Sequence, residues 1–290
     1  MNALTLGEVS ISRIVEIGRS SFPTAQMLPE SDGGRIVQHH RWIKPHFFDD
    51  VTGDIGSRIQ TWIVRTPPHT VLVDTGVGND KDRGENALWN KRGGGYLDDL
   101  RAAGVTPEQV DLVLCTHLHV DHVGWNTRLA DGRWVPTFPR ARYLFARREW
   151  EHWTGEDEEG TKRILADSVA PVLEAGLAQL VEMDHRVADG IWLEPTPGHT
   201  PGHVSVRLAS DGAEAVITGD LMHHPVQVAE PGWQSSFDTD PTRARETRRA
   251  FCARYADRPV AVLGTHFHHP TAGWIVSDRN GWRFSVDARR

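Results

Sequence analysis

Four short apolar runs along the chain share one design. Each is about five residues long, rich in β-branched residues, and ends in Asp or His beside Gly or Thr. The runs are "HTVLVDTG" (69–76), "DLVLCTH" (111–117), "AVITGD" (215–220) and "PVAVLGTH" (259–266). This length and composition predict buried β-strands. Polar residues gathered where strands end predict a functional site along one rim of the sheets.

Helical patterns lie between and after these runs. The stretch "YLDDLRAAG" predicts a helix that ends at Gly104. Residues 160–176 predict a second helix, interrupted near Pro171. The clearest helix covers residues 241–255, with Asp240 as its N-cap and proline at its first position.

The order of these elements predicts an α/β (α+β) fold. Early strands, a helical block, more strands and a long helix indicate two sheets packed together with helices outside. The chain has no low-complexity linker and no short repeat, so we expect one domain over residues 1–290. Residues 20–54 are the least regular segment and are predicted to form a loop over the active site. A surface excursion without a role is the open alternative.

Composition narrows the classes of function. The chain has 290 residues, of which 39% are hydrophobic, as expected of a globular protein. A net charge of −7 argues against a nucleic-acid-binding face, and no apolar run is long enough to span a bilayer. Two cysteines are too few for a disulfide framework, and the N-terminus lacks an export-signal pattern. We therefore expect a cytoplasmic protein that acts on a small molecule, with no nucleic-acid or membrane partner; a homodimer is left open.

The segment "THLHVDHVGW" (116–125) concentrates metal-ligand chemistry. His117 and His119 are two positions apart, so in an extended loop they project the same way and can reach one cation. Asp121 and His122 are adjacent, so they are expected to diverge from that pair and to serve a second cation. Four ligand-type side chains within six positions favour a metal site over a structural histidine.

Distant residues must complete such a centre, because catalytic zinc sites usually take three protein ligands and keep a position for water. The candidates are His199 in "TPGHTPGH", Asp220 in "ITGD" and His266 in "GTHFHHP". Thr200 and His203 are expected to steady the loop that presents His199. An aspartate between two cations can bridge them.

The ordered motifs "VDTG", "THLHVDH", "PGHTPGH", "TGD" and "GTH" resemble those of the metallo-β-lactamase superfamily over most of the chain. The resemblance implies a four-layer αββα sandwich and two divalent metal ions, with zinc favoured. It implies the following ligands: His117, His119 and His199 for the first ion, Asp121, His122 and His266 for the second, and Asp220 as the bridge. His268 and His269 are rivals of His266, but "GTH" ends the strand directly. Asp74 in "VDTG" resembles the carboxylate that orients a ligand imidazole; its alternative role is to cap a turn.

Counting charge indicates the chemistry that this implied ligand set supports. Two divalent ions supply about +4, while Asp121, Asp220 and a bridging hydroxide supply about −3, which leaves a centre near +1. Such a centre lowers the pKa of bound water to about 7, so hydroxide is available as the nucleophile. The sequence therefore predicts a metal-dependent hydrolase.

The segment after Asp220 resembles the branch of methyl parathion hydrolase and related lactonases, through "GDLMHH", "FDTDPTRARETRR" and "GTHFHHPTAGWI". Quorum-quenching lactonases often carry tyrosine three residues after the bridging aspartate, whereas this chain has His223. This departure weakens a strict acyl-homoserine lactonase assignment, and His223 is a candidate catalytic residue. Its alternative is a solvated loop histidine.

We predict a small ester or lactone as the substrate, with phosphotriester turnover as a side activity. The aromatics expected to line the cleft are Trp42, Phe47, Phe48, Trp125 and Trp233, with core packing as the rival role of each. A β-lactam or thioester hydrolase, a non-hydrolytic metal-binding sensor and a mononuclear iron oxygenase are the alternatives that the sequence leaves open.

Overall fold

The computed structural model describes residues 4–31, 33–279 and 281–287. The chain forms two compact units. Unit 1 comprises Ile17–Arg58 and Asp184–Arg290, and unit 2 comprises Asn2–Glu16 and Ile59–Met183. Each unit has its own hydrophobic core.

Short strands and short helices alternate through most of the described chain. The strands are β1 Leu4–Leu6, β2 Val9–Pro23, β3 Asp54–Arg65, β4 Thr70–Val73, β5 Leu112–Leu114, β6 Thr127–Ala130, β7 Arg133–Pro136, β8 Arg142–Ala146, β9 Ala178–Val181, β10 Arg186–Ala188, β11 Ile191–Pro195, β12 Val204–Ser210, β13 Ala213–Ile217, β14 Val260–Leu263, β15 Ala272–Asp278 and β16 Gly281–Ser285. The helices are α1 Thr24–Met27, α2 Gly33–Val37, α3 His40–Ile43, α4 Tyr96–Ala102, α5 Val120–Val123, α6 Arg147–Gly155, α7 Glu159–Ser168, α8 Ala170–Glu174, α9 Val226–Ala229 and α10 Pro241–Tyr255.

These strands form two seven-stranded sheets and a β6-β7 hairpin. The first sheet has the order β1-β2-β3-β4-β5-β8-β9, and the second runs from β10 to β16 in sequence order. Strands β4, β5, β8 and β9 are parallel to one another, and so are β13 and β14, whereas the other registered pairs are antiparallel. The prediction of a mixed α/β fold with more than one sheet is confirmed.

The four predicted apolar strands are β4, β5, β13 and β14. Their cores are buried, which explains their nearly continuous apolar sequences, because parallel strands are covered on both faces. Val73 pairs with Leu114 in unit 2, and Ile217 pairs with Leu263 in unit 1. Parallel neighbours finish at the same edge of a sheet, so the polar residues that follow each pair lie side by side.

The predicted helices are present as well. Helix α4 is followed by Gly104, whose φ of +80° ends it. The second helical stretch divides into α7 and α8 at Val169, because Pro171 cannot continue the hydrogen-bond ladder. Asp240 caps α10 by accepting a hydrogen bond from the Arg243 N–H.

Residues 20–54 are more ordered than the sequence suggested. They hold the end of β2 and the short helices α1, α2 and α3, and Met27, Ile36, Ile43 and Phe47 lie in the core of unit 1. Helices of four or five residues are too short to show an amphipathic period, which explains why the sequence pattern missed them. Their predicted position over the active site stays a prediction, as does the single-domain organisation.

Within the described residues, no helix is both long and apolar enough to cross a membrane. Cys115 and Cys252 are free thiols, and both are buried. Burial raises the pKa of the Cys252 thiol to about 12, so this thiol is neutral at physiological pH.

A buried ionic cluster ties the loop after β4 to α7 in unit 2. The Lys81 ammonium is fully buried and donates to the Thr127 hydroxyl at 2.8 Å and the Asp167 carbonyl at 2.9 Å. Arg83 donates to the Asp167 carboxylate at 2.7 Å. Burial lowers the pKa of Lys81 to about 8, which still leaves it mostly charged at neutral pH. One carboxylate therefore compensates two cations.

Replacing Asp167 with Asn should destabilise the protein by about 3 kcal/mol, because Lys81 and Arg83 would lose their counter-charge inside the fold. The matched control is Asp157→Asn, since Asp157 pairs with Lys162 at the surface and is 99% exposed; its effect should stay below about 0.5 kcal/mol. Urea unfolding of both variants measures the difference. Equal free energies of unfolding would contradict the assigned role of Asp167.

Candidate metal centre

In unit 2, the histidine-rich loop follows β5 and leads into α5. The Nε2 atom of His117 lies 2.9 Å from the Nδ1 atom of His119, and the two ring centroids are 4.6 Å apart. The His122 ring lies 4.0 Å from the His117 ring, while its Nε2 atom is 3.6 Å from an Asp121 oxygen. The His122 ring therefore lies near both the Asp121 carboxylate and the His117 ring.

Asp74 organises this loop from the end of β4. It is fully buried and has a φ of +58°, a left-handed conformation that aspartate tolerates better than most residues. One oxygen accepts the Thr116 N–H at 2.8 Å, and the other lies 3.0 Å from the His122 Nδ1 atom. The Thr116 hydroxyl donates to Asp74 and lies 3.1 Å from the His117 Nδ1 atom.

The contacts of Thr116 and Asp74 set the surroundings of two imidazoles. The Thr116 hydroxyl has one proton, which it donates to Asp74, so it must accept from the Nδ1–H of His117. The Nδ1 atom of His122 faces the Asp74 carboxylate instead. A carboxylate beside a ligand imidazole can orient the ring, and this role of Asp74 stays a prediction.

In unit 1, Asp220 follows β13 and lies among three imidazoles. Its carboxylate is 3.5 Å from the Nε2 atom of His199, 3.1 Å from that of His266 and 3.2 Å from that of His223. The Asp220 N–H donates to the His203 Nε2 atom at 2.8 Å. His203 thus holds the backbone of Asp220. It also contacts the loop that carries His199, because its Nδ1 atom lies 2.9 Å from the Thr196 hydroxyl and its N–H donates to the Thr200 carbonyl.

In His199 and His266, as in His117, the Nδ1 atom lies beside an oxygen acceptor. The Nδ1 atom of His199 lies 3.3 Å from an Asp238 oxygen, and the Nδ1 atom of His266 lies 2.8 Å from the Arg58 carbonyl oxygen. Both acceptors require the proton on Nδ1, so both Nε2 atoms can bind a metal. His268, the predicted rival, instead contacts the carbonyl of His46.

Asp238 is the site residue that the sequence did not single out. Its fully buried carboxylate accepts hydrogen bonds from Arg248 at 3.1 Å and from the Ser235 N–H at 2.9 Å. Burial alone would raise the pKa of Asp238, but the bond to His199 and the charge of Arg248 lower it to about 2. Only the fold brings this loop residue to His199, so no local sequence signal marks it.

The loop that carries His199 has little freedom. Gly198 has a φ of +136°, and a Cβ atom there would lie 2.3 Å from the backbone nitrogen of Ala244 in α10. The Thr239 N–H also donates to the His199 carbonyl at 2.8 Å. This close approach requires glycine beside the histidine and fixes the loop against the start of α10.

His223 is buried, with 4% of its surface exposed, so the alternative of a solvated loop histidine is wrong. Its ring stacks on His266 with a centroid distance of 5.5 Å and an interplanar angle of 7°. Its backbone N–H donates to the Gln227 side chain at 2.8 Å. Among the described residues, its Nδ1 atom has no hydrogen-bond partner, so one ring nitrogen is available for another group.

Comparison with known families places the chain in a superfamily. The model of the metallo-beta-lactamase superfamily matches residues 55–266. The chain belongs to the metallo-beta-lactamase superfamily. The match begins in β3 and ends at His266, so it includes every proposed metal ligand.

The relatives of this superfamily member include curated N-acyl homoserine lactonases. The Bacillus cereus enzyme is 26% identical over 167 residues, which cover 54% of this chain and 60% of that protein. N-acyl homoserine lactonase AttM of Agrobacterium fabrum strain C58 is 32% identical over 187 residues, which cover 61% of this chain and 65% of that protein. The chain therefore matches less than two thirds of the length of these relatives.

Solved structures resemble the superfamily member over nearly its whole length. Hydrolase AbOPH of the beta-lactamase superfamily has a TM-score of 0.80 and 25% identity, covering 99% of this chain and 97% of its own. AidC, described as a dizinc quorum-quenching lactonase, has a TM-score of 0.77 and 20% identity, covering 100% and 98%. The predicted metallo-β-lactamase fold is confirmed.

The five aromatic residues predicted to line the cleft differ in how deeply they are buried. Phe47 and Trp233 lie in the core of unit 1, and Trp125 lies in the core of unit 2. Trp42 and Phe48 are partly buried and pack against the core of unit 1. Core packing accounts for the contacts of the three buried rings, and the cleft role stays a prediction for all five.

Asp238→Asn should weaken metal binding about 10- to 100-fold, because the acceptor that orients His199 loses its charge. It should also destabilise the fold by about 3 kcal/mol, since Arg248 would be buried without a counter-charge. Competition with a chromophoric chelator measures the affinity, and urea unfolding measures the stability.

The double variant Asp238→Asn/Arg248→Met serves as the control. It removes the uncompensated cation, so part of the stability should return while metal affinity stays low. If affinity recovers together with stability, Asp238 supports only the fold and does not orient His199.

Proposed function

We propose that this protein is a dinuclear metal-dependent hydrolase that acts on a small ester or lactone. The observation that carries the proposal is the common arrangement of four imidazoles, each with its Nδ1 atom beside an oxygen atom of another residue and its Nε2 atom beside another candidate ligand. The histidines are His117, His122, His199 and His266. Metal-binding histidines typically show this arrangement, because the outer acceptor fixes both the ring and its tautomer.

We propose that the candidate ligands bind two divalent cations, most simply Zn²⁺. The ligands would be His117, His119 and His199 for one ion, Asp121, His122 and His266 for the other, with Asp220 shared. Imidazole and carboxylate donors suit borderline ions such as zinc. The dizinc description of the structural neighbour AidC supports this assignment. When bound, the ions would polarise a substrate carbonyl and lower the pKa of water to about 7, which supplies hydroxide at neutral pH.

The carboxylates near the candidate ligands suit the binding of divalent cations. Asp121 and Asp220 contribute two negative charges directly, and Asp74 and Asp238 lie one imidazole further out. Arg248 pairs with Asp238. The carboxylates also orient the imidazoles for metal ligation.

We propose that His223 assists the departing oxygen of the substrate. It stands three residues after Asp220, where the resemblance places tyrosine in many lactonases, and its Nε2 atom lies 3.2 Å from the Asp220 carboxylate. Stacking on His266 and the backbone bond to Gln227 hold the ring in place. A fixed imidazole can donate a proton or a hydrogen bond to a developing alkoxide.

Relatives support a lactone or another carboxylic ester as the substrate class. The curated proteins that match this chain are N-acyl homoserine lactonases, and AbOPH is described only as a hydrolase. His223 in place of tyrosine indicates a substrate range that differs from that of strict acyl-homoserine lactonases. We propose phosphotriester turnover as a side activity.

The surroundings of the protein are also proposals. The net charge of −7 supports a small-molecule substrate without a nucleic-acid partner. Two buried free thiols support a reducing, cytoplasmic location. A homodimer stays a prediction, which light scattering of the purified protein decides.

Purified protein should contain two zinc ions per chain and should hydrolyse at least one member of a panel of lactones, aryl esters, thioesters, β-lactams and phosphotriesters. Asp220→Asn should lower turnover at least about 100-fold and reduce the metal content, because the shared carboxylate is lost. Asp211→Asn, an exposed turn residue with a φ of +49°, is the matched control. One iron per chain with oxygen uptake would instead indicate an oxygenase, and no turnover on any substrate would contradict the hydrolase.

His223→Phe should lower kcat about 100-fold without changing the metal content, since the ring remains but the proton donor is lost. His223→Tyr should retain more activity than His223→Phe, because its hydroxyl can donate a hydrogen bond. Steady-state kinetics and metal analysis of both variants provide the test. If His223→Phe keeps the kcat of the wild type, His223 only packs against His266.

A further inference from the structure

Glu149 is a buried carboxylate in the first turn of α6, and the proposed ligand set gives it no role. Only 1% of its surface is exposed. A carboxylate in such surroundings is costly unless hydrogen bonds compensate the lost water. The identity of its donors therefore indicates what the residue does.

Two N–H groups donate to the same oxygen of Glu149. The backbone N–H of Leu118 donates at 3.2 Å, and the indole N–H of Trp153 donates at 2.7 Å. Leu118 stands between His117 and His119 in the chain. The Trp153 ring meets the His119 ring at a centroid distance of 5.1 Å with an interplanar angle of 60°. The Glu149 carboxylate therefore holds the backbone between His117 and His119, and it also holds the Trp153 ring that contacts His119.

The same loop is also fixed by its apolar side chain. Leu118 is buried in the core of unit 2. With the side chain packed and the N–H held by Glu149, this residue has little freedom to rotate. His117 and His119 flank Leu118, and the Nε2 atom of the first lies 2.9 Å from the Nδ1 atom of the second, so the position of Leu118 bears on both imidazoles together.

We infer that Glu149 is a positioning residue that, with Trp153, sets the orientation of the His117 and His119 imidazoles for metal binding. This inference rests on the proposed function. A purely structural Glu149 would stabilise α6 and leave metal affinity unchanged, whereas a positioning residue affects the ion held by His117 and His119.

The test uses Glu149→Gln and Trp153→Phe in the full-length protein. Glu149→Gln keeps the shape of the side chain and replaces one carboxyl oxygen with an NH2 group. Trp153→Phe keeps an aromatic ring beside His119 and removes the indole N–H. Glu151→Gln, an exposed residue on the same helix, is the matched control. Chelator competition with Zn²⁺ and with Co²⁺ measures the two affinities, and urea unfolding of the metal-free proteins measures stability.

Glu149→Gln should weaken one of the two binding steps at least tenfold and leave the other unchanged, with an altered visible spectrum of the bound Co²⁺. Trp153→Phe should shift the same step in the same direction by a smaller factor, which keeps the test valid if Glu149→Gln folds poorly. Affinities within twofold of the wild type in both variants would overturn the inference, even if stability falls. If the wild type itself binds no metal, the proposed function fails and this inference fails with it.

Discussion

The structure depends on a constraint of imidazole chemistry: a neutral ring can offer a lone pair from one nitrogen only if the other carries the proton. Four different oxygen groups lie beside the Nδ1 atoms of the candidate ligands. They are the Thr116 hydroxyl for His117, the Asp74 carboxylate for His122, the Asp238 carboxylate for His199 and the Arg58 carbonyl for His266. Thr116 belongs to the ligand motif itself, whereas the other three are distant from their histidines in sequence, so the fold places most of these groups.

Strand register places these groups. In unit 2, β4 and β5 are parallel neighbours, and Asp74 follows one while the histidine loop follows the other. In unit 1, β13 and β14 are parallel neighbours, and Asp220 follows one while His266 follows the other. A shift of either pair by one residue would reverse which side chains face the site, because successive residues of a strand point to opposite faces.

Two buried ion pairs hold side chains and loops in fixed positions. Asp238 with Arg248 and Asp167 with Lys81 are enclosed ion pairs, whose desolvation cost cancels much of their mutual attraction. Their value lies in geometry, since a paired and hydrogen-bonded carboxylate has few alternative orientations. Asp238 holds His199, and Glu149 holds the backbone between His117 and His119. Small displacements of a ligand are costly for metal binding, so rigid supports matter at these positions.

The sequence alone determined the parallel strands, the longer helices, the superfamily and the identity of the candidate ligands, because these depend on local periodicity and on motifs of adjacent residues. It also selected Asp74, whose place in "VDTG" marks it. It missed the short helices within residues 20–54, the support given by Asp238 and Glu149, and the bond from the Asp220 backbone to His203. Those roles depend on which distant segments meet. A carboxylate in a loop and one in a helix look like surface residues until tertiary packing buries them and directs them at a histidine or at the backbone beside it.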